Sequence, residues 1–117
     1  MPYIREEDRI AVITRGPIIS GELNYVITKL AIKFKDTPMT LRVFIKKSIL
    51  QYLGERQSYT LFNEVMGVLE CARFEYLRRM GYDLLVNESF LALEKWLYFD
   101  IIAPYEDKKK EENGDVY

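Results

Sequence analysis

The sequence predicts an all-α fold, a small antiparallel helical bundle of about four helices with an irregular N-terminus and a charged C-terminal tail. Three observations carry this. Apolar residues recur at helical spacing in four blocks, the blocks end at proline or glycine, and the connections at 35–37, 54–59 and 81–87 are too short for anything but neighbouring helices. No internal repeat, low-complexity run or long Ser/Gly/Pro-rich linker divides the 117 residues. The expected organisation is one helical domain over 1–103 and a tail over 104–117.

Residues 1–19 carry the weakest pattern. Ile10, Ala11, Val12 and Ile13 suit a short strand or a helical turn, and Gly16-Pro17 ends either. The first clear helix runs from about Ser20, its expected N-cap, to Lys35, because Leu23, Val26, Ile27, Leu30, Ala31 and Phe34 share one face. Lys29, Lys33 and Lys35 gather at its C-terminal end, where positive charge suits the helix dipole. Thr37-Pro38 opens the second helix, a cap followed by proline at the first helical position. Leu53-Gly54 closes it, and Leu41, Phe44, Ile45, Ile49, Tyr52 and Leu53 form its stripe. Arg42, Lys46 and Lys47 fall largely outside that stripe, as a solvated face or a cationic one.

The third helix has the strongest signal, with Phe62, Val65, Met66, Leu69, Ala72, Leu77 and Met80 close to a 3.6 period from about Thr60 to Met80 and Gly81 as its stop. Glu75 and Arg79, four apart, are expected to pair on its surface. A fourth helix is expected from a cap at Asn87 through Phe90, Leu91, Leu93, Trp96, Leu97, Ile101 and Ile102, ended by Pro104. It is apolar on more than one side. Sixteen aromatics exceed what so small a core requires, so self-association is expected, with Trp96, Tyr98 and Phe99 as interface anchors.

Composition excludes more than it assigns. With no histidine and one cysteine, ordinary zinc or copper sites and imidazole acid/base chemistry are excluded, no internal disulfide is possible, and no metal or other cofactor is expected. Cys71 beside the apolar stripe reads as a small buried residue. The start MPYIREEDR lacks the basic region and apolar run of a signal peptide, and no stretch is long enough to cross a bilayer, so a cytoplasmic protein without membrane contact is expected. The net charge of −1 divides unevenly: 20–56 carry seven basic and three acidic residues, 57–103 four and seven. Such halves can attract each other across a bundle. Near neutrality and a pI near 5.6 disfavour duplex nucleic acid.

The segment from Tyr105 is almost all charge, with Val116 and Tyr117 as the other anchors, and by composition it is a solvated or frayed end. Asn113-Gly114 is a turn signal that would bring Val116 and Tyr117 back towards the body or a neighbour. The pieces GELNYVITKL (21–30), LFNEVMGVLECARFEYLRR (61–79) and IAPYEDKKKEENGDVY (102–117) together resemble the signature of a small uncharacterised family, a domain of unknown function met mostly in phages, prophages and other microbial genomes. The resemblance implies a viral or mobile-element setting and no established activity. It departs from the family pattern where Met80 to Ile101 intervene between the paired arginines and the APYEDKK segment, and where 36–57 is enlarged, so the fourth helix is not implied by it.

Without histidine, catalysis would need helical carboxylates holding magnesium, and Glu64, Glu70 and Glu75 are the candidates. Glu64 and Glu75 lie about 16 Å apart along the axis and Glu70 points elsewhere, which makes an ordinary charged face the better reading. Binding a nucleotide needs cations beside stacking surfaces. Arg42, Lys46 and Lys47 with Tyr52 offer one such set, and Arg73, Arg78 and Arg79 with Tyr76 the preferred one; their structural alternative is pairing with Glu75 and capping of the helix end. No catalytic residue is assigned. The expected function is a non-enzymatic oligomeric binding module whose partner is a second copy, another protein or a nucleotide. A nucleotide-signal sponge or a magnesium-dependent nucleotide hydrolase are the alternatives.

Overall fold

The computed structural model describes residues 4, 5, 9 and 16–114. Among these the elements are α1 (Ser20–Lys33), α2 (Pro38–Leu53), α3 (Tyr59–Met80), α4 (Leu84–Trp96), a π-helical segment (Leu97–Ile102) and α5 (Ala103–Asn113), with no strand. The all-α bundle is as expected. Ile10–Ile13, Val116 and Tyr117 lie outside the described residues.

The caps differ from expectation in instructive ways. Ser20 is not the N-cap of α1 but its first helical residue. The exposed N–H groups there are met by Glu22, whose Oε1 accepts from the backbone N–H of Ile18 at 2.8 Å and of Ile19 at 3.4 Å. This is the reaching-back half of a capping box, with a buried glutamate near the positive end of the helix dipole. Thr37 stands at the cap of α2 before Pro38 as expected, yet its hydroxyl donates to the carbonyl of Phe34 and leaves the helix uncapped. Ser58 caps α3, accepting from the N–H of Leu61 at 3.1 Å. Gly54 and Gly81 end α2 and α3 at positive φ (56° and 81°), a region that a Cβ would disfavour.

Leu23, Ile27 and Ala31 of α1, Leu41, Ile45 and Ile49 of α2, Phe62, Val65 and Leu69 of α3, and Val86, Phe90, Leu93 and Leu97 of the last helix are essentially inaccessible and form one core. Each large side chain buried so completely stabilises the fold by about 1.5–3 kcal/mol relative to exposure. α1 packs chiefly on α3, with α2 beside α1 and α4 seated against both α2 and α3. Phe44, placed in the α2 stripe by its spacing, instead lies outside the core and stacks on Phe34 with centroids 5.1 Å apart.

Three sequence expectations for α3 and α4 are corrected. Leu77 and Met80 are exposed, and the inward positions of the last turns belong to Glu75, which pairs with Arg78 and Arg79, and to Tyr76, which bonds Asp83 at the start of α4. Cys71 is exposed rather than buried. Asn87 is not the cap of α4, which begins three residues earlier, at Leu84, with Asp83 accepting from the N–H of Val86 at 3.3 Å.

Pro104 does not end the last helix. In the segment before it the N–H of Ala103 bonds the carbonyl of Tyr98, five residues back, so the backbone has left the α register where the proline ring would meet the carbonyl of Asp100. The helix continues to Asn113, and Gly114 closes it at φ 80°. The charged segment read as a tail is therefore helical over most of its length. It is tied to the body by Tyr105, whose ring meets Phe62 and Tyr59 edge-on at 5.2 and 5.5 Å.

Candidate functional site

The polar groups, the exposed apolar side chains and a cavity converge at the corner where α3 hands over to α4. From the last three turns of α3 come Glu70, Arg73, Phe74, Glu75, Tyr76, Leu77, Arg78 and Arg79; from the first turns of α4 come Val86 and Asn87, with Glu94 two turns further on. The three-residue connection Gly81–Asp83 lets both helix ends share one surface.

Arg78 and Arg79, the preferred ligand-facing pair, both converge on Glu75. Arg78 Nη2 and Arg79 Nε lie 2.5 and 2.7 Å from the same Oε1. Glu75 is only 8% exposed. The two guanidinium groups hydrogen-bonded to it hold its carboxyl down at about 2. Sequence spacing anticipated the surface pairing with Arg79 and not the burial of the glutamate itself, over which two solvent-exposed guanidinium groups close.

Arg73 and Tyr76 are brought together as the walls of a cavity of about 240 Å³, shared with Leu77, Gly81, Tyr82, Asp83, Val86 and Asn87. The Tyr76 phenol donates to Asp83 Oδ2 at 3.1 Å, and burial together with that carboxylate pushes it up to about 12. Arg73 spans the cavity floor: Nη2 pairs with Glu70 at 2.9 Å, Nη1 reaches Asn87 Oδ1 at 3.4 Å, and the guanidinium carbon lies 4.6 Å from the centre of the Phe74 ring. Behind it lies Glu94, whose Oε1 is buried without a hydrogen-bond partner among the described residues. Burial and the Glu70 carboxylate push Glu94 up to about 7.

The three glutamates considered as metal ligands thus face three different partners. Glu64 accepts from the Tyr52 phenol at 2.5 Å, Glu70 pairs with Arg73, and Glu75 is clasped by two arginines. Among the described residues no group of three metal-ligating side chains comes together. Of the other cations, Lys46 stands 5.5 Å over the Trp96 ring, which places Trp96 partly inside the α2–α4 packing. Tyr98 and Phe99, edge to face at 5.3 Å, are outside, Phe99 at 65% exposure.

Sequence reasoning missed Asp83, Tyr82 and Glu94. Asp83 had a readable signal, an aspartate directly before the apolar run Leu84-Leu85-Val86. Glu94 had none, since a glutamate with a buried carboxyl oxygen looks like any surface glutamate until the helices are packed.

A small all-α bundle with an apolar, clasp-lined corner is the class the geometry defines. The chain belongs to the DUF6899 family, a domain of unknown function whose model matches residues 1–83. The match ends at the cap of α4, so the second half of the corner lies beyond the matched residues. No curated protein and no solved structure matches the chain. No described helix is long and apolar enough to cross a membrane.

Proposed function

We propose that the protein is a non-enzymatic binding module that associates with a second copy through the α3–α4 corner, in the phage or mobile-element setting that its sequence motifs imply. One observation carries the reading. Phe74, Leu77, Met80, Tyr82, Leu84 and Leu85 are all markedly exposed within twelve consecutive residues, Tyr82 at 70% and Phe74 at 56%. Monomeric surfaces rarely leave so many large apolar side chains together in water. A two-fold contact needs a surface that fits itself, and this one sets the projecting Tyr82 beside a cavity that a ring can enter. Its rim carries both signs, Arg78 and Arg79 on α3 against Glu88 on α4, so two antiparallel corners bring unlike charges together.

The test is molar mass in solution by light scattering for the natural chain and for a variant carrying Phe74→Glu and Tyr82→Glu. A dimer that becomes a monomer of unchanged helicity is the expected result. A natural chain that stays monomeric at its highest soluble concentration would remove the reading, and a dimer that survives both substitutions would move the contact to Tyr98 and Phe99.

A further inference from the structure

We propose that the groove between α1 and α2 binds a nucleoside monophosphate, its phosphate held by Lys29, Lys33 and the Tyr25 phenol and its base laid on Val26 and Leu30. The groove encloses a cavity of about 310 Å³, walled by the two helices and by the Gly16-Pro17 entry to α1. No wall belongs to α3 or α4, so the site stands apart from the corner and does not depend on association there. Its volume lies at the lower end of small-molecule sites and far exceeds what a phosphate group alone would fill.

Tyr25, Lys29 and Lys33 follow one another at intervals of four along α1 and therefore share a face of the helix. Both lysines are exposed, and neither has a carboxylate partner among the described residues. No acidic side chain lines the cavity. The imbalance extends over the helix pair: residues 20–54 carry six basic side chains against Glu22 and Asp36, and Glu22 is buried and spent on the backbone of Ile18. Arg9 adds a further cation, its guanidinium 5.8 Å from the centre of the Tyr25 ring. Lys29 Nζ donates to the Tyr25 phenol oxygen at 3.3 Å, which leaves the phenol O–H to donate to an anion beside the ammonium. A phosphate monoester thus meets two ammonium groups and a hydroxyl donor on one helix face, all able to form charge-assisted bonds.

The rest of the cavity selects what the phosphate is attached to. Val26, Leu30 and Pro17 supply apolar surface, and the polar side chains of the α2 wall are Ser48 and Gln51. The Ser48 hydroxyl donates to the carbonyl of Phe44 at 3.0 Å and keeps its lone pairs, while the Gln51 amide offers both a donor and an acceptor. A sugar phosphate would set several hydroxyls unpaired against apolar side chains. A flat base instead covers those side chains with its face and meets Gln51 and Ser48 with one edge. Gly16 closes this end of the groove at φ 80°, and a Cβ on it would collide with the Gln51 amide nitrogen, so the approach of backbone to Gln51 requires glycine.

The experiment is calorimetric titration of the natural full-length chain, with amide NMR mapping, against AMP, GMP, CMP and UMP and, in a separate arm, inorganic phosphate. A nucleotide binding about tenfold or more tightly than inorganic phosphate is expected, with shifts clustered at Tyr25, Lys29, Lys33 and Gln51. Lys29→Gln and Lys33→Gln together, at exposed positions where glutamine suits a helix, are expected to weaken that binding by about tenfold or more at unchanged helicity. Absence of heat and of shifts with all of the nucleotides at millimolar concentration would overturn the proposal. So would inorganic phosphate binding as tightly as every nucleotide, which would make the groove a plain anion site, and so would undiminished nucleotide binding in the double variant. The natural chain alone decides the first two points, so a variant that folds poorly leaves the test intact.

Discussion

The Tyr76 phenol donates to the Asp83 carboxylate at 3.1 Å, joining the last buried residue of α3 to the residue that caps α4. One carboxylate therefore does two jobs at the corner, accepting from a buried phenol and from the N–H of Val86. Asp83→Ala is expected to cost about 2 kcal/mol, the loss of a cap plus a phenol left without its acceptor. Tyr76→Phe is expected to cost about 1 kcal/mol, since the cap survives it. Urea unfolding of the two variants checks the ordering, and equal losses would show that the phenol contributes nothing beyond the cap.

Acid should act on a different carboxyl. Glu75 is held at about 2 in the folded protein against an ordinary value of 4.5. The stability it contributes is fully present above that ordinary value and is lost as pH falls from about 4.5 towards 2. Stability measured by denaturant between pH 5 and 2.5 should fall more steeply for the natural chain than for Glu75→Gln, and parallel curves would count against the double clasp.

The two faces of α3 should answer differently to the same truncation. Leu69 is inaccessible and Leu77 largely exposed. Leu69→Ala is expected to cost about 2–5 kcal/mol, whereas Leu77→Ala should stay within about 0.5 kcal/mol. Thermal unfolding of both variants tests which face points inward.

Proline inside a regular helix costs about 3 kcal/mol, so its removal would ordinarily be a large gain. At position 104 the preceding π turn has already left the α register, and Pro104→Ala is expected to change stability by less than about 1 kcal/mol. A much larger gain in thermal stability would mean that the turn does not relieve the ring.

Helices α1 to α3 were legible because their apolar periods, Pro38 and the two terminal glycines are local signals that tertiary packing then confirms. The corner was not, for reasons visible at single residues. The inward row of α3 passes from Leu69 and Ala72 to Tyr76, and Leu77 belongs to the same apolar alphabet one position away, so the period alone cannot choose between them. Glu75 is buried with Arg78 and Arg79 folded back onto it, and a lone glutamate with two following arginines reads equally as a solvated triplet. Pro104 was misread because its clash is local while the π turn that avoids it is set by how Leu97 and Ile102 enter the core.

From Leu84 to Asn113 the chain is helical without interruption for thirty residues, a contour of about 45 Å at the α-helical rise. Phe90, Leu93, Leu97 and Ile102 sink one side of its middle into the core, and Tyr105 holds its far part against Phe62 and Tyr59. One continuous element therefore joins the apolar corner to a lysine- and glutamate-rich tip, two surfaces of opposite chemistry built on a single helix.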